Sequence, residues 1–359
     1  MTHTLLRMPC MPRRLLLALW AALAASAAAP AGALDEQRED VRAFIGEMAA
    51  RHGFAAGELA RVFAQAESRP SIVAAISKPA EKARPWHEYR ALFLTDRRIS
   101  RGTETAQLQA GALGAAAASG VPAEVLLAIT GVETLYGENT GRHRVIDALA
   151  TLAFDYPPRS PFFRGELEQF LLMSREESLD PLVPMGSYAG AMGIPQFMPS
   201  SFRAYAVDGD GRRNLWASWG DVFASVANYL LKHGWRSGEP VMAPADASGG
   251  DLAGLEFGKL ALTETVGSLR ARGVRFETPL PAEAPAVLLQ LAGRDGPEYR
   301  VGFANFYAIT RYNRSQLYAS AVSDLADAIA AAGRPLPPVA TPESAPAEPP
   351  AAPPATGMQ

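Results

Sequence analysis

From Leu34 to Gly234 the apolar residues recur at three- and four-residue intervals, and only beyond Trp235 does the spacing shorten to two. The first spacing lays side chains along one face of a 3.6-residue helix, the second along one face of a strand. A chain patterned this way is mainly α, an α+β architecture with a small β element entering late. Helical stripes run through Val41, Phe44, Ile45 and Met48, then Leu59, Val62 and Phe63, then Trp86, Tyr89, Phe93 and Leu94. An alanine-rich helix over residues 108–119 stops at Gly120. Ile146, Leu149, Leu152 and Ala153 form a stripe that halts before Pro157-Pro158, and Phe163, Leu167, Phe170 and Leu171 form the next. Residues 181–201 carry no long period and are rich in Gly, Pro and Ser, which predicts a loop. Val222, Val226, Tyr229 and Leu230 mark a helix ending at His233-Gly234.

Beyond it, Val287, Leu289 and Leu291 alternate with more polar neighbours, as do Tyr299, Val301 and Phe303. Gly293-Arg-Asp-Gly296 lies between the two runs, so they predict a hairpin. Asn313-Arg-Ser-Gln316 has capping-box spacing before a helix whose apolar face holds Tyr318, Val322, Leu325 and Ile329.

The two ends differ from this body. Arg13-Arg14, the apolar run 15–24 and Ala31-Gly32-Ala33 have the form of a cleavable export signal, the run being short for a bilayer span. Cleavage after Ala33 changes the net charge from −3 to −6 and removes Cys10, the only cysteine. Cys10 precedes the apolar run, where a lipid-anchor cysteine would follow it. The expectation is a periplasmic product, soluble rather than lipid-anchored, with no transmembrane segment and no disulfide. From Pro335 the chain is rich in Pro and Ala and lacks aromatics, so it cannot bury enough surface to offset its ordering entropy. The divisions expected are a signal peptide (1–33), an N-terminal helical region (34–120), a catalytic core (121–236), a β element with a C-terminal helix (237–331) and a disordered tail (332–359). The acidic balance leaves no footprint for nucleic acid.

One charge breaks the helical pattern. With Pro122 as the first helical residue, Leu126, Ile129, Glu133 and Tyr136 fall on one face. Glu133 is then a lone carboxylate on an apolar and aromatic stripe. Burial disfavours the charged form and raises such a pKa, which suits a general acid near neutral pH. On the helix alone, a packed stem with its head in solvent is the commoner explanation. Other chemistries are missing: there is no G-x-S-x-G, no P-loop, no G-x-G-x-x-G and no H-E-x-x-H. His3, His52, His87, His143 and His233 have no ligand spacing.

Three stretches carry a resemblance. They are Gly131-Val-Glu-Thr-Leu-Tyr-Gly137, Asp147-Ala-Leu-Ala-Thr-Leu-Ala-Phe-Asp-Tyr-Pro157 and Gly186-Ser-Tyr-Ala-Gly-Ala-Met-Gly-Ile-Pro-Gln-Phe-Met-Pro-Ser-Ser201. With Asn214-Leu-Trp216, Ser225-Val-Ala-Asn-Tyr229, His233-Gly-Trp235 and Phe306-Tyr-Ala-Ile-Thr-Arg-Tyr-Asn313, they resemble the lytic murein transglycosylase B family over residues 34–331. The resemblance implies a lysozyme-like helical core with added helical and small β parts. It also implies cleavage of the β-1,4 bond between N-acetylmuramic acid and N-acetylglucosamine, without water, to a 1,6-anhydromuramic end. Peptidoglycan glycan strands are the partner implied, and other cell-wall enzymes are an open expectation.

By the same resemblance Glu133 is the single acid and base, and Ser187 and Gln196 hold the sugar or its N-acetyl group. Tyr229 is implied to hold the carboxyl or the N-acetyl carbonyl, and Tyr312 and Asn313 to bind glycan. Tyr229 also reads as a core tyrosine, and Asn313 as a helix cap. Where the family can carry two arginines for stem-peptide carboxylates, this chain has Pro158-Arg159, leaving Arg159 alone. Relatives can bind calcium just before Asn-Leu-Trp. Asp208, Asp210 and Asp221 are the donors here, in a loop short of the twelve residues and acidic last ligand of a full site. No cofactor is expected to be required, and the loop's length argues against structural calcium. A lysozyme-type hydrolase of the same bond and a non-catalytic wall-binding protein are the rival readings.

Overall fold

The computed structural model describes residues 32–78, 84–209 and 211–332. The signal peptide (apart from Gly32 and Ala33), Asp210 and the tail beyond residue 332 lie outside the described residues. Helices follow one another through most of the chain: α1 (Glu39–His52), α2 (Ala56–Phe63), α3 (Pro70–Ile76), α4 (Trp86–Phe93), α5 (Asp96–Leu108), α6 (Ala110–Ala117), α7 (Ala123–Thr134), α8 (Val145–Asp155), α9 (Ser160–Glu176), α10 (Pro199–Tyr205) and α11 (Trp219–Lys232). Three more, α12 (Val266–Ala271), α13 (Ala304–Tyr312) and α14 (Gln316–Ala331), accompany the β element. The mainly α reading holds.

Two-residue ladders punctuate the helical part. β1 (Gly32–Ala33) pairs with β2 (Glu67–Ser68), and β3 (His143–Arg144) with β4 (Met185–Gly186), both antiparallel. The late element exceeds the expected hairpin. β5 (Met242–Ala245), β6 (Glu264–Thr265), β7 (Pro285–Ala292) and β8 (Pro297–Gly302) form an antiparallel sheet of order β5-β8-β7-β6. Val287 pairs with Gly302 and Leu291 with Glu298, so the predicted hairpin sits at its centre. Its alternation misleads in one respect: Ala286 and Leu288 face a small core with Val266 and Leu269, while Val287 and Leu289 join the main core. Both faces of β7 are buried. Phe303 is not a strand residue but caps α13.

α7 is the centre of the fold. Val125 through Val132 are buried without a break, so this is a core helix, not an amphipathic one. It lies against α5, α6, α11 and α14. Pro122 is its N-cap rather than its first helical residue, so the helix begins one residue later than expected. The helix also ends earlier than its pattern suggests. Leu135 and Tyr136 take left-handed backbone conformations, with φ of 52° and 59°. The Tyr136 ring therefore folds back over Gly131 and against Gly102, where any Cβ would collide with it. A side chain at either position would have to displace the Tyr136 phenol.

Candidate active site

Glu133 is half-buried in the last turn of α7, and the groups beyond the helix hold that turn. The Thr134 hydroxyl accepts from Gly137 N at 3.0 Å and donates to the Ile194 carbonyl at 2.9 Å. One side chain thus closes the helix end and ties it to the 186–197 loop. Arg98 Nε donates to the Gly131 carbonyl at 3.0 Å, placing a cation where the helix dipole is negative.

The partner of Glu133 comes from α14. The Tyr318 hydroxyl donates to Glu133 Oε1 at 2.6 Å. Tyr318 stands in the first turn of that helix, and its N–H is taken by the cap Ser315 at 3.3 Å. Ser315, not Asn313, is therefore the N-cap, and the capping-box reading of residues 313–316 is corrected. The serine lies one residue before the helix, and Asn313 is exposed two residues further back.

Tyr318 takes the place expected of Tyr229. The Tyr229 hydroxyl donates to the Arg311 carbonyl at 2.6 Å, so it is not the donor that holds Glu133. Its ring instead supports Tyr312, edge to face at 4.8 Å between centroids, and Tyr312 lies parallel to Tyr318 at 6.5 Å. Tyr312 in turn donates to the Pro195 carbonyl at 2.5 Å. Burial pushes the Tyr229 phenol up to about 12. It also carries Tyr312 and Tyr318 well above the ordinary tyrosine range, and the nearby Glu133 charge acts in the same direction. All three hydroxyls stay protonated, so Tyr318 remains a donor to Glu133 at any working pH.

The loop facing this wall is a tight double-back. Met192 and Phe197 exchange backbone hydrogen bonds of 2.8 and 3.0 Å, and Ser187 N donates to the Ala191 carbonyl at 2.8 Å. Gln196 sits in a left-handed conformation, and its amide nitrogen donates to the Thr140 and Gly193 carbonyls at 3.0 and 2.8 Å. With both donors directed to backbone, Gln196 offers a substrate its carbonyl oxygen. Ser187 Oγ accepts from Ala191 N at 3.1 Å, which leaves its own proton for a substrate oxygen. Gly141 touches this loop so closely that a Cβ there would strike the Gly186 carbonyl.

Hydrogen bonds tie these segments together: Thr134 joins the end of the Glu133 helix to the Ile194 carbonyl, Gln196 reaches Thr140, Tyr312 reaches Pro195, and Tyr318 reaches Glu133. Arg159 is exposed and lies over the rings of Phe162 and Phe163, 4.6 and 5.0 Å from their centroids. Among the described residues, no hydrogen bond, ion pair or ring contact joins it to the other site residues. The aspartates on either side of Asn214-Leu-Trp216 form a separate feature. Asp221 accepts from Gly209 N at 3.0 Å and Asn214 N at 2.8 Å, and Asp208 accepts from Gly211 N at 2.6 Å. These carboxylates close the loop on its own amides. Among the described residues no group of three acids, histidines or cysteines is placed to hold a metal. Asp210, the third donor expected, lies outside the described residues.

Sequence reasoning missed Tyr318 as a site residue because it falls on the apolar face of a helix otherwise filled with Ala, Val, Leu and Ile. The available signal was its hydroxyl: a tyrosine deep on a core face needs a partner for its polar tip.

The sequence matches the transglycosylase SLT domain family over residues 36–327. It is 42% identical over 301 residues to the membrane-bound lytic murein transglycosylase B of Escherichia coli strain K12, covering 80% of this chain and 82% of that protein. The catenated lytic transglycosylase SltB1 from Pseudomonas aeruginosa has a TM-score of 0.79 at 48% identity, over 83% of this chain and 99% of that one. SltB3 of the same organism, solved in complex with NAG-NAM-pentapeptide, has a TM-score of 0.70 at 35% identity, over 81% and 79%. With its fold and most of its length matched by this family and these relatives, the chain belongs to the transglycosylase SLT domain family.

Proposed function

We propose that Glu133 is the only acid and base of a reaction that cleaves the β-1,4 bond after N-acetylmuramic acid and closes a 1,6-anhydro ring. The chain is a lytic transglycosylase of peptidoglycan; the proposal concerns how one carboxylate suffices. Glycosidases ordinarily use two. The observation that carries the reading is that the acids in the segments following Glu133 are already committed to the fold. Asp147 is fully buried and held by Arg69 at 3.3 Å, by Arg144 at 2.8 Å and by Glu67 N. Glu138 is paired with Arg97 and Arg101, Glu166 binds Ser200, and Asp155 binds Arg38 and Ser68. Glu133 accepts a hydrogen bond from the Tyr318 phenol at 2.6 Å.

The steps follow from that. Glu133, protonated, gives its proton to the leaving glycosidic oxygen as the bond to C1 breaks. The substrate's own N-acetyl oxygen stabilises C1, its carbonyl oriented by Ser187. Glu133, now ionised and steadied by the Tyr318 hydroxyl, takes the proton of the C6 hydroxyl, whose oxygen bonds to C1. Atoms balance without water, and the tethered nucleophile needs no positioning from bulk solvent.

Export to the periplasm belongs to the same reading and rests on the leader over residues 1–33. No helix among the described residues is long and apolar enough to cross a membrane. Digestion of purified sacculi followed by mass spectrometry tests the chemistry. The wild type releases products lighter by one water than a muramidase's, and Glu133→Gln loses about 10²–10⁴-fold in rate. Hydrated reducing ends, or full activity in Glu133→Gln, would refute the mechanism.

A further inference from the structure

Beside the catalytic loop lies a cavity of about 640 Å³. It is walled by Ser71 and Ala75 of α3, by the turn from Glu138 to His143, and by Ser187 and Tyr188. Because it shares Ser187 with the site, whatever enters it is attached to, or next to, the sugar held there. We propose that this cavity receives a carboxylate of the peptide stem borne by the muramic sugar, with Arg142 as the residue that binds it. The proposal rests on the transglycosylase reading and adds to it a determinant of substrate choice.

The charges around the cavity support this. Arg142 is exposed, and among the described residues its guanidinium makes no ion pair or hydrogen bond. The other arginines nearby are occupied. Arg69 and Arg144 bind Asp147 and Glu67, while Arg97 and Arg101 bind Glu138. That last pairing matters, because Glu138 is the acid that lines the cavity, and two guanidiniums offset its charge. His143, also in the wall, is held below its ordinary value by burial and by the charges of Arg69 and Arg142. A neutral imidazole leaves Arg142 as the cation an incoming anion meets.

A guanidinium fork suits a carboxylate, giving two parallel charge-assisted hydrogen bonds. Asn139 and Ser71 add neutral polar groups for the amides of a peptide, and Tyr188, 43% exposed, supplies an aromatic surface for its stem. Arg159, expected to meet such carboxylates, already lies over two phenylalanine rings.

The test compares glycan strands that carry stems with strands stripped by an amidase, which leaves the lactyl carboxylate on the sugar. For wild type, Arg142→Ala, Arg142→Lys and Arg159→Ala, kcat/KM is measured on both from the release of anhydro ends. The expected result is that Arg142→Ala lowers the ratio of stem-bearing to stripped rates about tenfold or more, through KM. Arg142→Lys recovers part of it, keeping the charge but losing the fork. An unchanged ratio in Arg142→Ala overturns the proposal, as does a fall confined to Arg159→Ala. An equal loss on both substrates also overturns it, since Arg142 would then meet the lactyl group. Wild type that yields no anhydro ends from either strand refutes the transglycosylase reading instead, a failure distinct from these.

Discussion

Tyr318→Phe removes one oxygen and leaves the ring, so it isolates the 2.6 Å bond to Glu133 Oε1. A hydrogen bond to a charged group contributes about 1.5–3 kcal/mol. It favours the ionised carboxyl, which in the proposed mechanism forms when Glu133 gives up its proton and persists until it accepts another. Its loss should lower kcat about 10- to 100-fold if most of that energy is expressed in the transition state. The same energy predicts the pH behaviour. A donor to the charged form lowers a carboxyl's pKa, so its removal raises it. The descending limb of the pH–rate profile, where the acid loses its proton, should move to higher pH while the plateau falls. Anhydro-muropeptide release from sacculi, followed from mildly acid to alkaline pH, measures both. The plateau could fall with the limb in place. Tyr318 would then act through substrate or packing, and its assignment as the residue that holds Glu133 would be wrong.

Thr134→Val deletes the bonds to Ile194 and Gly137, leaving a carbonyl and an amide without partners. It should cost about 1–3 kcal/mol, seen as a lower Tm, and raise KM as the Gln196 loop loses its register. Asp147→Asn leaves Arg69 and Arg144 without their buried counter-charge. Both arginines are partly solvated, so the low end of the range for a broken buried pair applies, about 3 kcal/mol, measurable by urea unfolding. His143 has its folded pKa held below the ordinary 6.5, so the unfolded chain binds the proton first and stability falls as pH drops below that value. His143→Asn should flatten the pH dependence of Tm across that window.

How far the sequence speaks differs from residue to residue. The stripes from Val41 to Leu230 place the helices because burial enforces a period. The end of α7 escapes that logic. Tyr136 continues the stripe on paper, but the Thr134 hydroxyl captures Gly137 N and the backbone turns left-handed at Leu135. A similar competition moves the cap of α14 from Asn313 to Ser315, since both residue types cap and only the path of the chain decides. β7 alternates only loosely, because apolar layers cover both its faces. Within the candidate site, Glu133, Ser187 and Gln196 are named from a motif. The choice between Tyr229 and Tyr318 was not legible: both are tyrosines on helical apolar faces, and periodicity carries no information on which ring reaches a given carboxyl.

The Glu133–Tyr318 contact spans 185 residues of sequence. A chain made from its N-terminus outward therefore completes the catalytic helix long before the phenol that steadies it exists. Bringing ends so far apart together carries a closure entropy that only a finished core repays. Activity is in this sense a certificate of complete folding. A truncated or half-threaded chain would contain the acid but not its donor, and an enzyme able to sever a load-bearing polymer would be at its weakest where it is least finished.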